Sequence, residues 1–193
     1  VAFTKERFES GTKDHQLDIR RDDGVYRHLS FGKPGTGMMR VDIVTWPGYL
    51  AYAGDMGAFV FSRVEDMFTF FRGCRVDPSY WAEKVKAADR DQVREWSRDK
   101  FISRAREDLD LLIEEDDDGR WVGVEDKFNE DVLRGISEKS KEGAYGDIIM
   151  FEYKGRYPFQ EFYEVNTDIF TFRFLWCCHA IVRIIELYDK ESR

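Results

Sequence analysis

Met39-Arg40-Val41-Asp42-Ile43-Val44-Thr45-Trp46-Pro47-Gly48 is the stretch from which the fold is read. Its side chains alternate between apolar and polar, the period of a strand with one buried face, and the proline–glycine pair stops it. Before it, Leu17-Asp18-Ile19-Arg20 and Val25-Tyr26-Arg27-His28-Leu29-Ser30-Phe31 flank Asp23-Gly24, which suits a hairpin turn. After it, residues 49–53 and 58–61 are joined through Gly54-Asp55-Met56-Gly57. Connections this short favour antiparallel pairing of successive strands, so residues 15–62 read as a β-meander. A short helix over residues 4–10 is expected ahead of it.

From Ser62 onward the apolar period lengthens to that of a helix. Ser62-Arg63-Val64-Glu65 has the form of a capping box, followed by Met67, Phe68, Phe70 and Phe71, with Gly73 at the exit. Asp77-Pro78 starts another helix, because Asp caps and Pro fits the first turn, and Trp81 and Val85 share a face on it. A longer helix is expected over residues 91–115, a small segment over 121–124, and a helix over 125–140. Residues 143–166 read as irregular or as a short strand pair. The last helix, 167–190, carries Phe170, Phe174, Cys177, Ile181, Ile184 and Tyr188 in one stripe. It is apolar nearly all round from Phe174 to Val182, which marks it as the core's central element. The expectation is an α+β fold in one domain, 1–193, β-rich over 15–62 and helix-rich over 63–193. An N-terminal antiparallel meander is packed by a largely helical C-terminal part.

The 193 residues carry a net charge of −8, unevenly placed. Residues 1–63 hold nine Lys/Arg against eight Asp/Glu, so the acidity belongs to the rest. An acidic chain repels phosphate, which argues against direct binding of duplex nucleic acid. The three cysteines, Cys74, Cys177 and Cys178, form no CxxC and imply a reducing compartment. The start of the chain, from Val1, turns polar too early for a signal sequence. The most apolar run, 174–182, is bracketed by Arg173 and Arg183 and is far short of a bilayer span. A cytoplasmic protein without membrane contact is expected.

The strongest chemical signal is acidic. Eight of the twelve residues from 107 to 118 are carboxylates: Glu107, Asp108, Asp110, Glu114, Glu115, Asp116, Asp117 and Asp118. On a helix, Glu107, Asp110 and Glu114 share a face, with Asp108 and Glu115 beside it; Ile102, Ala105, Leu109 and Leu112 lie opposite. Neighbours on such a face are roughly 5–6 Å apart. Such a row can imitate a phosphate backbone and dock on a Lys/Arg groove, although a charge run of this kind usually means a solvated helix face running into an acidic loop. Asp116-Asp117-Asp118-Gly119 lacks the ligand pattern of a calcium loop. Gly32-Lys33-Pro34-Gly35-Thr36-Gly37 lacks the order of a P-loop and precedes a strand. Asp147, Glu152 and Lys154 form a D…ExK arrangement of the kind that holds Mg²⁺ in some nucleases, although such triplets are common by chance. Cys177-Cys178-His179 sits inside the apolar helix, and His28 in a strand; both read as structural. No metal or cofactor is expected.

His28-Leu29-Ser30-Phe31 and the stretch from Val41 to Gly73, with Thr45-Trp46-Pro47-Gly48, Gly54-Asp55-Met56-Gly57 and Phe61-Ser62-Arg63, stand out as motifs. Asp77-Pro78-Ser79-Tyr80-Trp81-Ala82-Glu83-Lys84 and Phe174-Leu175-Trp176-Cys177-Cys178-His179-Ala180 extend them. Together they resemble a family of uncharacterised proteins from temperate phages and prophages, over most of the chain and least over 100–165. The resemblance implies a bacterial cell as the setting and transfers no catalytic residue. By analogy it points to an inhibitor, an anti-CRISPR or another anti-defence protein, whose eight carboxylates dock on a basic nucleic-acid-binding surface of a host protein. The alternatives are a phage enzyme using Asp147, Glu152 and Lys154, or a phage structural or interaction module that self-associates.

Overall fold

A computed structural model describes residues 2–89 and 93–191. The fold is α+β, an antiparallel sheet followed by a mostly helical region. The chain forms two compact units. One takes in the chain up to Arg94 together with everything from Phe170 onward, and the other spans Glu95–Ile169. The sequence reading treats 1–193 as one domain with one core; the structure has a separate buried cluster in each unit.

In the first unit a helix, α1 (Lys5–Thr12), precedes the strands β1 (Gln16–Asp23), β2 (Tyr26–Gly32), β3 (Val41–Trp46), β4 (Tyr49–Gly54) and β5 (Gly57–Ser62). These pair antiparallel in chain order, so the expected meander is present. Alternation puts Leu29, Phe31, Val41, Ile43, Leu50, Tyr52, Phe59 and Phe61 on one fully buried face. Where the end of β4 passes the start of β3 the backbones approach so closely that a Cβ on Gly54 would lie 2.2 Å from the Arg40 carbonyl oxygen, so only glycine fits.

The helix α2 (Met67–Phe71) starts later than the capping-box reading places it. Ser62 ends β5, its N–H bonding the Lys84 carbonyl, and Asp66 is the cap, accepting the Phe68 N–H at 2.9 Å. Asp66 also receives both terminal nitrogens of the buried Arg27 at 2.9 and 3.1 Å. The Arg27 guanidinium lies over the rings of Phe68 and Tyr188. Burial pushes the Asp66 pKa up, and the bonds from Arg27 and the Phe68 N–H more than offset that, leaving it below the ordinary value.

Helix α3 (Pro78–Ala82) is capped by Asp77 as expected, but Val85 is not on it. Val85 begins a sixth strand, β6 (Val85–Ala88), which pairs with β5 and completes the sheet. The last helix, α7 (Phe172–Glu191), lies in this unit and buries Phe174, Trp176, Cys177, Ile181, Ile184 and Tyr188 in the same cluster as the sheet face. Residues 168–170, expected to begin that helix, instead form β8 (Asp168–Phe170), which pairs with β7 (Arg94–Trp96) where the chain passes from one unit to the other. No helix among the described residues is long and apolar enough to cross a membrane.

The second unit is helical. Its longest element, α4 (Arg98–Glu114), is capped by Ser97, whose hydroxyl accepts the Lys100 N–H. The expected start at Asp91 lies outside the described residues. Phe101, Ala105 and Leu109, one turn apart, bury their side chains against Phe128, Val132, Ile148, Phe159 and Phe162. The helix expected over 125–140 is broken into α5 (Val124–Phe128), a π turn at Asn129–Leu133 and a 3₁₀ turn at Ile136–Glu138. Gly135, at φ 70°, makes the break. Within 143–166 most of the first part is helical: α6 (Lys141–Ile149), capped by Ser140. Of a strand pair only the single bridge Tyr153–Arg156 is present, followed by a 3₁₀ turn at Gln160–Glu164.

Candidate functional site

The acidic segment occupies the second half of α4 and the loop after it. Ala105 and Leu109 face the core with Ile102 and Leu112 half-buried, so the carboxylates are turned outward as the helical reading places them. The eight side chains then divide into two sets.

Four are engaged by the chain itself. Arg104 reaches Glu107 at 3.3 Å and Asp108 at 2.9 Å, one turn along the same helix. Partial burial, the larger effect, raises the Asp108 pKa against the pull of Arg104. Asp116 closes the loop: its carboxylate accepts the N–H groups of Trp121 at 2.8 Å and Arg120 at 2.9 Å. The Trp121 bond is the main reason its pKa lies below the ordinary value. Asp118 is paired with the Arg120 side chain. Arg104 is the residue that the reading of the acidic row leaves out. Its spacing of three and four from Glu107 and Asp108 is the signal that could have found it.

Asp110, Glu114, Glu115 and Asp117 are exposed and have no side-chain partner among the described residues. They gather at the C-terminal end of α4, whose last turn contains no basic residue. Backbone carbonyls already make that end negative, so each added carboxylate works against the helix dipole. Leu111, half of its surface in solvent, lies among them. The arrangement offers acceptors without a metal geometry: no group of three His, Cys, Asp or Glu side chains among the described residues could hold an ion.

The D…ExK residues are not brought to a common point. Asp147 is in α6, paired with Lys139 at 2.6 Å. Glu152 accepts the Gly155 N–H at 2.6 Å, and Lys154, at φ 48°, donates to the Arg120 carbonyl at 2.9 Å. Glu152 and Lys154 thus hold a turn instead of lining a strand end. Cys177 and Cys178 are buried, and burial pushes both thiols well above the usual range. His28 is half-buried beside Asp42 at 3.3 Å, and Gly32–Gly37 connects two strands.

The chain matches no protein-family model, no curated protein and no solved structure.

Proposed function

We propose that this protein is an acidic binding protein that docks Asp110, Glu114, Glu115 and Asp117 on a basic, nucleic-acid-binding surface of another protein. The observation that carries this reading is that these four carboxylates have no internal partner and crowd the negative end of a helix. Folding alone gains nothing from that placement, because like charges one turn apart repel and the dipole opposes them. A Lys/Arg groove reverses both terms, and Leu111 supplies an apolar contact among the charges. The remaining acids of the segment, Glu107, Asp108, Asp116 and Asp118, shape the helix and the loop. With the phage resemblance, the partner is a host defence protein in the bacterial cytoplasm, and the activity is stoichiometric inhibition of the anti-CRISPR or anti-defence kind.

The test is affinity capture from a bacterial lysate with the wild type and with an Asp110→Asn, Glu114→Gln, Glu115→Gln, Asp117→Asn variant. The wild type is expected to retain a nucleic-acid-binding protein that is released by duplex DNA and by raised salt. The variant is expected to keep its circular dichroism and lose the capture. Equal capture by both would remove the proposal.

A further inference from the structure

A second site lies in the other unit and does not depend on the acidic segment. Helices α1 and α7 leave a cleft of about 670 Å³ between them, closed on one side by the segment after α2. That volume is in the range of small-ligand pockets. Lys5, Phe8, Glu9, Thr12 and Lys13 recur on one face of α1 and its C-cap, and His179, Val182, Arg183 and Glu186 on one face of α7.

The lining has two chemical halves. Phe8, Val76 and Val182 make an apolar floor. Around it stand Lys5, Lys13, Arg75 and Arg183, four cations against the two carboxylates Glu9 and Glu186. The balance is positive although the whole chain carries −8. Lys5 and Arg183 are loosely paired with Glu9 and Glu186, at 3.5 and 3.7 Å. The side chains of Lys13 and Arg75 make no hydrogen bond or ion pair among the described residues. Between floor and rim, the half-buried His179 holds its ring tilted against those of Phe3 and Phe8, at 4.8 and 5.7 Å, and makes no hydrogen bond among the described residues. Burial, aided by Lys5, lowers its pKa, so the ring is neutral near neutrality and offers one donor and one acceptor.

We infer that this cleft binds a small organic anion with an apolar body. The acidic group faces Lys13 and Arg75, His179 supplies a hydrogen bond, and the body lies on Phe8, Val76 and Val182. An amphipathic anion uses both halves, the exposed cations of the rim for its acidic group and the floor for its body, and so suits the cleft better than a bare ion, which gains nothing from the floor.

A probe pair separates the two halves: 8-anilinonaphthalene-1-sulfonate, an aromatic anion, and N-phenyl-1-naphthylamine, the same body without the sulfonate. The full chain is expected to bind the sulfonate at one saturable site and the neutral amine at least about tenfold more weakly. Lys13→Glu with Arg75→Glu is expected to weaken the sulfonate by about tenfold or more, while the same reversal at Lys86 and Arg106, outside the cleft, leaves it unchanged. Cys74, the exposed thiol at the cleft wall, gives a local readout: bound sulfonate is expected to slow its alkylation by iodoacetamide. Absence of saturable binding, equal affinity for the two probes, indifference to the Lys13 and Arg75 reversal, or unprotected Cys74 would each overturn the inference.

Discussion

The sheet unit and the helical unit each bury a cluster rich in phenylalanine, yet they reach it by opposite means. In the sheet unit the register of four successive strands, β2 to β5, puts eight large side chains on one face, and a single long helix contributes to the same cluster. In the helical unit one long helix meets short, interrupted turns, and α5, a π turn and a 3₁₀ turn follow one another within residues 124–138. Regular pairing leaves few side chains the task of defining local geometry. Interrupted turns hand that task to individual residues: Tyr145, whose hydroxyl bonds the Val165 carbonyl and Thr167, Lys154 on the Arg120 carbonyl, and Asp116 on two N–H groups. The unit with more such fixings also carries the unpartnered acids.

The largest effect should come from emptying either core. Phe174→Ala and Phe128→Ala each remove a fully buried ring, at a cost of about 3–5 kcal/mol. Amide exchange is expected to rise through β2–β5 for the first and through residues 95–169 for the second. If either change strips protection from both units to the same degree, the two behave as one cooperative body and the contrast fails.

A smaller loss is expected from Asp66→Ala, which leaves the buried Arg27 without its carboxylate and α2 without its cap. Urea denaturation should show about 3 kcal/mol, most of it recovered when Arg27→Met is added. The acid dependence has a definite sign. The folded-state pKa of Asp66 lies below the ordinary value of 3.8, so its contribution is present above that value and is lost as pH falls through the folded one. The smallest effect distinguishes the acidic end of α4 from the rest of its unit. Asp110→Asn with Glu114→Gln is expected to stabilise by about 0.3 kcal/mol, because a repulsive pair one turn apart is removed. A loss of stability there would mean that these acids are engaged in the fold after all.

The meander was legible because its information is local: period-two alternation, Asp23-Gly24 and Pro47-Gly48 lie next to what they specify. The helix start at α2 was not. Ser62 and Asp66 are both competent caps, and the choice falls to Asp66 because the Ser62 N–H is taken by the Lys84 carbonyl, just ahead of β6. Strand β6 itself, Val85-Lys86-Ala87-Ala88, has weak strand propensity and forms against the open edge of β5. The helix α6 was hidden by its glycines and by its aromatic neighbours, although Ser140 caps it in the ordinary way.

Of the candidate site, the outward face of α4 followed from the spacing of Ala105 and Leu109. Which acids were already held did not, apart from the pairs that Arg104 could have announced. Asp116 became a loop staple only once the chain turned back so that the Arg120 and Trp121 N–H groups pointed at it. The cleft between α1 and α7 had no sequence signature, since Lys13, Arg75 and His179 are far apart along the chain. The sequence by itself determined charge, periodicity and turn chemistry, because each depends on residues within one or two turns of one another. Only the tertiary structure decided which polar groups are satisfied and which stand open, because that depends on partners the fold brings from a distance.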